Sequence, residues 1–340
     1  MPSDKEHQLN FAFTESPAAG QCTKILEGID WVRLPLPFAL DHVNCWYVHG
    51  EGDSCLIDTG VHNEETLDCW KRVFDAKGYP RKLLVTHFHP DHSGLAGWFA
   101  NEGCDVISSE IEWGIVQDLN AIENDAYPEI YAKWYSQNGV EQSYIDAVYK
   151  VGNTYKARIL APPKSATFLR DGDQIELGGR HFSVLTGQGH SPDMLMLYCE
   201  QDALLIAADQ ILPSITPNVS VMPHLPDANP LDSFLQCIER LRALPAKTLV
   251  LPSHGLPFTG LHQRIDFLRE HHHQRLAEIQ VALKTEQHAA ALFPVLFKRK
   301  LDHQQLSFAL GETLAHLRYL EKQSLVDVTT RDGEDYYRAK

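Results

Sequence analysis

Apolar and polar positions in the first part of the chain alternate with the two-residue period of strands. Residues 29–36 (IDWVRLPL), 42–49 (HVNCWYVH) and 54–58 (SCLID) are rich in β-branched and aromatic side chains, and the run GEGD at 50–53 supplies a turn between the last two. These runs predict an antiparallel ladder. The period then changes. Leu67, Trp70, Val73 and Phe74 fall on one face of a helix that Asn63 caps and Gly78 ends. Residues 82–86 (KLLVT) follow as a short buried strand leading directly into His87. Strand, helix and short buried strand together predict an α/β layer arrangement.

Residues 105–160 carry a mostly helical pattern, with Pro128 and Gly139 as breaks. Tyr127, Tyr131, Tyr135, Tyr144, Tyr149 and Tyr155 lie here with Trp113 and Trp134. Such a stripe suits a helical pair packed on a sheet, and it also suits an aromatic lid over a site. Strands resume at 174–177, 181–186, 195–199, 203–207 and 248–251, with helices at 230–244 and 261–283. From about 285 the chain reads as a separate unit. A helix at 306–323, striped by Leu310, Leu314, Leu317 and Leu320, precedes a hairpin at 326–338 that turns at Asp332–Gly333. Helices followed by a two-stranded hairpin resemble a winged helix. The expected domains are therefore 1–283, with a helical insert at about 105–160, and 284–340.

Composition narrows the function classes. The chain has 340 residues, 44% of them hydrophobic, and a formal net charge of −15 from 30 Lys and Arg against 45 Asp and Glu. That excess disfavours nucleic acid and anionic membrane as general partners. The tail is nearly balanced, without the basic face of a DNA-reading module, so packing or homodimerisation is its expected role. No run is long and apolar enough to span a bilayer, and the start, MPSDKEHQLNFAF, lacks the basic-then-apolar pattern of a secretory leader. Seven scattered cysteines without a CxxC pair fit buried thiols in a reducing, cytoplasmic setting.

The chemistry is concentrated in Thr86-His87-Phe88-His89-Pro90-Asp91-His92-Ser93-Gly94. Three histidines and an aspartate within six residues follow a buried strand. A loop there lets neighbouring side chains diverge toward two separate ions, and imidazole nitrogen and carboxylate oxygen are both zinc ligands. Of the remaining histidines, His271, His272 and His273 are consecutive on a charged helix, so they point in different directions and a solvated surface is expected.

This motif resembles the HxHxDH signature of the metallo-β-lactamase superfamily. The resemblance covers about residues 25–260 and extends to His190 in TGQGHS, Asp209 after ALLIAA, His254 in PSHG and the early Asp58-Thr59-Gly60. It implies an αββα sandwich of two mixed sheets with helices outside and the site at one edge. It also implies two divalent metal ions, zinc being expected and iron or manganese serving the same ligands. The first would take His87, His89 and His190. The second would take Asp91, His92 and His254, and Asp209 would bridge them. Asp91 would orient the attacking water or take its proton. Asp58 would hold a ligating histidine through its other ring nitrogen, although Asp in such a strand-end turn is also a common purely structural choice. The loop at 212–218 would line the cleft, with Asn218 and His224 as candidate substrate contacts.

The expected reaction is attack of a metal-activated water on an ester or thioester carbonyl of a small molecule, the aromatic insert favouring an apolar acyl group. Two readings stay open beside it: a phosphodiesterase or ribonuclease using the same site, and a non-catalytic metal-binding regulator. A β-lactamase is disfavoured, because Asp209 stands where the commonest β-lactamases of this fold carry Cys. The motif pattern is nearest to the glyoxalase-II-like and β-lactamase-like-2 branch, in which a winged-helix tail follows the hydrolase domain.

Overall fold

The computed structural model describes residues 9–298 and 301–340. Residues 1–8, part of the segment read above for a leader, lie outside the described residues, as do Arg299 and Lys300 of the tail. A two-residue strand, β1 (Asn10–Phe11), comes first. One seven-stranded sheet then runs side by side in chain order through β2 (Cys22–Leu26), β3 (Ile29–Pro35), β4 (His42–Gly50), β5 (Asp53–Ile57), β6 (Lys82–Leu84), β7 (Asp105–Ser108) and β8 (Thr167–Phe168). Strands β2 to β5 are antiparallel, and β5 to β8 are parallel. The change of direction follows from the connections. Helix α1 (Glu64–Lys77) carries the chain from β5 to β6, and α2 (Pro90–Ser93) with α3 (Ala96–Asn101) carries it from β6 to β7. Asn63 caps α1 by accepting from the Thr66 N–H, and Gly78 closes it at φ 83°.

The second seven-stranded sheet is ordered β9 (Gln174–Leu177), β10 (Arg180–Gly187), β11 (Met194–Cys199), β12 (Leu204–Ala208), β13 (Leu249–Pro252), β14 (Phe258–Thr259) and β1. Only its β12–β13 pair is parallel. The inner faces of the two sheets form one core, with Trp31, Trp46, Ile57 and Leu84 from the first against Phe182, Val184, Leu197, Ile206 and Leu251 from the second. Both sheets belong to one compact unit, comprising residues 1–121, 155–217 and 241–265.

The helical reading of 105–160 needs correction at its start. Residues 105–108 form β7, because the short run DVIS pairs in parallel with β6 and buries three of its four residues. Helix α4 (Glu110–Ala121) follows. Pro128 is not a break either. It lies in the first turn of α5 (Ala126–Gln137), where its missing N–H would have had no helical partner. Gly139, at φ 73°, does follow the end of that helix.

The second compact unit comprises residues 122–154, 218–240 and 266–340. It contains α5, α6 (Gln142–Val148), α7 (Pro230–Arg240), most of α8 (Leu261–Ala282), α9 (Phe293–Leu296), α10 (His303–Lys322) and the hairpin β15 (Val326–Arg331) and β16 (Glu334–Ala339). Chain order alone does not announce that 122–154 group with the tail. Tyr127, Trp134 and Tyr135 are buried within this unit, and Trp113 and Tyr155 within the first, so most of the aromatic stripe is core. The hairpin turn has Asp332 and Gly333 both at positive φ, the type I′ geometry that Asp-Gly favours. Of the three consecutive histidines, His272 is 1% exposed rather than solvated. Helical periodicity turns one of the three inward, where its Nδ1 meets His316 Nε2 at 3.2 Å. Among the described residues no helix is long and apolar enough to cross a membrane.

One buried side chain ties the two sheets together. Asn44, in the middle of β4, accepts from the Trp31 indole N–H at 2.8 Å and donates to the carbonyls of Pro252 and Gly255 at 2.9 and 2.8 Å. Its backbone N–H donates to the Ser253 carbonyl at 2.7 Å. Asn44→Ala leaves three buried polar groups without partners, and a loss of about 3 kcal/mol is expected at roughly 1 kcal/mol for each. Denaturant unfolding checks this; an unchanged midpoint would show that the tie carries no stability.

Candidate metal centre

Every side chain of the motif set sits just beyond the carboxyl end of a strand. Asp58 follows β5, His87 to His92 follow β6, His190 follows β10, Asp209 follows β12 and His254 follows β13. Largely apolar strands end here, and the segments that follow them turn polar side chains inward. The turn after β5 fixes the segment that follows β6. The N–H groups of Thr59 and Gly60 donate to the carbonyls of His92 and Asp91 at 3.1 and 3.0 Å. Asp58 itself is left-handed, with φ 65°. Gly94 has no room for a side chain, since a Cβ would lie 2.4 Å from the Pro90 carbonyl oxygen and 2.5 Å from that of Gly60.

The loops bring the predicted residues into contact. His87 Nε2, His89 Nδ1 and His190 Nε2 form a triangle with edges of 2.9, 3.0 and 3.3 Å. Tetrahedral zinc with bonds of 2.0–2.1 Å separates its donors by about 3.3 Å, so this spacing suits one ion. Asp91 Oδ2 lies 3.5 Å from His92 Nε2 and 3.6 Å from His254 Nε2. Asp209 stands between the groups, with Oδ2 at 3.3 Å from His190 Nε2 and 3.7 Å from His92 Nε2, and Oδ1 at 3.4 Å from His254 Nε2. Three groups of donors, His87–His89–His190, His87–His92–Asp209 and Asp91–His92–His254, are each compact enough to hold a cation. His92 Nε2 and Asp209 Oδ1 are buried and make no hydrogen bond. Buried polar atoms normally find partners, and a cation is the partner this donor set fits.

Neighbouring groups fix which nitrogen each histidine offers. His92 Nδ1 donates to Asp58 Oδ2 at 2.8 Å, and His254 Nδ1 donates to the His42 carbonyl at 2.6 Å. The Thr86 hydroxyl donates to the Asp58 carboxylate and so accepts from His87 Nδ1 at 3.0 Å. In all three the Nε2 lone pair is left toward the cluster, the usual arrangement behind a ligating imidazole.

Sequence reasoning missed three supports: Asn44, Glu112 and Tyr155. Glu112, on α4, is fully buried, and its two carboxylate oxygens accept the N–H groups of Phe88 and Asp193 at 3.0 and 2.6 Å. Burial pushes its carboxyl up to about 7 against the opposing pull of those N–H groups. The Tyr155 hydroxyl donates to the Phe88 carbonyl at 2.6 Å. The one available signal was a polar residue on an otherwise apolar face: Asn44 within HVNCWYVH, and Glu112 beside Trp113, Val116 and Leu119. Asn218 and His224 lie in the other unit. There the Ser220 hydroxyl donates to Asn218 Oδ1, and the Asn218 side chain is also bonded to Glu312.

Charges in the cluster are coupled. Burial lowers His87 well below its usual value and pulls His89 down to about 3. Burial also opposes protonation of His92 and His254, but Asp91, Asp58 and Asp209 raise His92 well above its usual value, and Asp209 with Asp91 raises His254. Burial alone would raise Asp91 and Asp209, yet the facing histidines hold both below the carboxylate range. The raised histidines stabilise the metal-free fold most fully below pH 6.5, and that contribution is lost as pH rises through their folded values. A cation entering beside Asp91 must displace those protons. Zinc affinity of the metal-free protein is therefore expected to climb above pH 6.5, by up to about tenfold per pH unit for each proton displaced. Calorimetric titrations in buffers of different ionisation enthalpy measure the release; binding without proton release contradicts this charge assignment.

Known proteins match this chain in sequence and in structure. The family model "Metallo-beta-lactamase superfamily" matches residues 39–254, and the model "Metallo-beta-lactamase-like, C-terminal domain" matches residues 276–339. A probable metallo-hydrolase of Bacillus subtilis, YqjP, is 25% identical over 92% of this chain and 98% of its own. The acyl-coenzyme A thioesterase MBLAC2 of Gallus gallus is 27% identical over 67% of this chain and 77% of its own. The crystal structure of a beta-lactamase domain protein from Burkholderia ambifaria is 35% identical with a TM-score of 0.93, covering 99% of this chain and 100% of that one. With a two-sheet fold, a strand-end cluster of histidines and aspartates, and a family match over more than half its length, the chain belongs to the metallo-β-lactamase superfamily of metallo-hydrolases.

Proposed function

We propose that the protein is a dinuclear metallo-hydrolase that cleaves the thioester of an apolar acyl group, with acyl-coenzyme A as the substrate class. The observation that carries the dinuclear reading is Asp209, whose two carboxylate oxygens face histidines of both donor groups, at 3.3 and 3.4 Å. His87, His89 and His190 would hold one ion, Asp91, His92 and His254 the other, and Asp209 both. Zinc suits this set, and so do iron and manganese. Bound divalent cations supply a water of lowered pKa and a Lewis acid for the substrate carbonyl. The thioester reading is supported by the similarity to acyl-coenzyme A thioesterases of Gallus gallus and Homo sapiens, at 27% and 25% identity.

The protein's own residues set the geometry of the reaction. Asp91 is the carboxylate of the cluster most open to solvent, its side chain 19% exposed against 7% for Asp209. It is therefore the group in place to orient the attacking water and to take its proton. Asp58 is sealed from solvent and serves only to hold His92 and Thr86. The tail, a helix followed by a hairpin in the manner of a winged helix, has a packing role in this reading, and the substrate is a small molecule.

His89→Ala and Asp91→Ala are expected to lower kcat/KM on a long-chain acyl-coenzyme A by about a thousandfold or more, and to reduce bound metal. Metal analysis and a turnover panel with a lactone, bis-p-nitrophenyl phosphate and single-stranded RNA check both. Hydrolysis of the phosphodiesters alone would replace the thioester reading with a phosphodiesterase. Absence of turnover in a metal-loaded protein would favour a regulator.

A further inference from the structure

The first donor triangle is assembled from two loops, and beside it the Leu195 N–H of β11 donates to the Thr86 carbonyl at 2.9 Å. His87 and His89 come from the loop after β6, and His190 comes from the loop between β10 and β11. Glu112 reaches both. Its Oε2 accepts from Phe88, the residue between the two histidines, and its Oε1 accepts from Asp193, three residues past His190. The other backbone group of Phe88 is held as well, because its carbonyl accepts from Tyr155 and from Ser93. The carboxylate is placed at the first turn of α4, where the helix N-terminus favours negative charge. A buried position on the face that also carries Trp113, Val116 and Leu119 would ordinarily take an apolar residue, since burying a carboxyl is costly unless it is fully hydrogen-bonded.

We propose that Glu112 is a positioning residue that sets the separation of the two ligand loops, and so the affinity of the protein for its first metal ion, without touching the ion. This rests on the metal reading given under Proposed function. A backbone clamp of this kind needs two acceptors on one rigid group, which Glu supplies and Gln does not. In Glu112→Gln one end becomes an NH₂ facing an N–H, and the loop at that end must move away.

The test is competition between a chromophoric chelator and the full-length protein for added Zn²⁺, which yields the stepwise dissociation constants. Glu112→Gln is expected to weaken one of the two by about tenfold to a hundredfold and to leave the other within about twofold. Excess Zn²⁺ is expected to restore kcat, a recovery that a general packing defect would not give. Tyr155→Phe, which removes one hydroxyl and leaves no cavity, is expected to weaken the same constant by about fivefold, the weight of one hydrogen bond. It carries the test should Glu112→Gln fail to fold by near-ultraviolet circular dichroism. Unchanged constants in the folded variants overturn the proposal. A wild type that takes up no Zn²⁺ overturns the metal reading beneath it, an outcome distinguishable from the first.

Discussion

Five imidazoles and two carboxylates converge in one buried cluster, and their mutual electrostatics constrain everything around them. Each group loses its hydration, and the histidines facing one another lower each other's basicity. The cluster is tolerable only if its members compensate in pairs and are held by a frame that does not relax. Asp91 and Asp209 provide the compensation toward His92 and His254. The two-sheet core provides the frame, with its strands ending where the polar segments begin.

The frame has to be specified to within a fraction of an ångström, and the chain does this with hydrogen bonds to backbone. Asn44 joins β4 to the loop that carries His254, and the turn at Asp58–Gly60 joins β5 to the loop that carries Asp91 and His92. Asp58 satisfies the Thr86 backbone and hydroxyl and the His92 ring at once. These groups are buried, polar and fully bonded, which makes their loss costly and their geometry narrow. The geometry of the donor cluster is thus a consequence of how the segments are tied between strands as much as of which side chains they bear.

Much of this was legible in the residues. HxHxDH after a short apolar strand was legible as a run of ligand types, and the family resemblance that it carries pointed to His190, Asp209 and His254, each after a strand of its own. The strand-helix-strand start and the Asp-Gly hairpin were legible because both are local features. What stayed hidden depends on contacts across long separations. Residues 105–108 look helical beside the helices that follow, and only pairing with β6 makes them a strand. His272 sits in a charged run, and only the approach of His316 buries it. Glu112 and Asn44 read as isolated polar residues, because their partners lie 13 to 211 positions away.

The central proposal is that this cluster holds two cations with Asp209 between them. Anomalous diffraction from crystals of the zinc-loaded protein at the zinc edge tests it most directly. The account predicts two peaks about 3.5–4 Å apart. One is bonded to His87, His89 and His190, the other to Asp91, His92 and His254, and both to Asp209. A single peak, or two peaks with Asp209 bonded to neither, would contradict it.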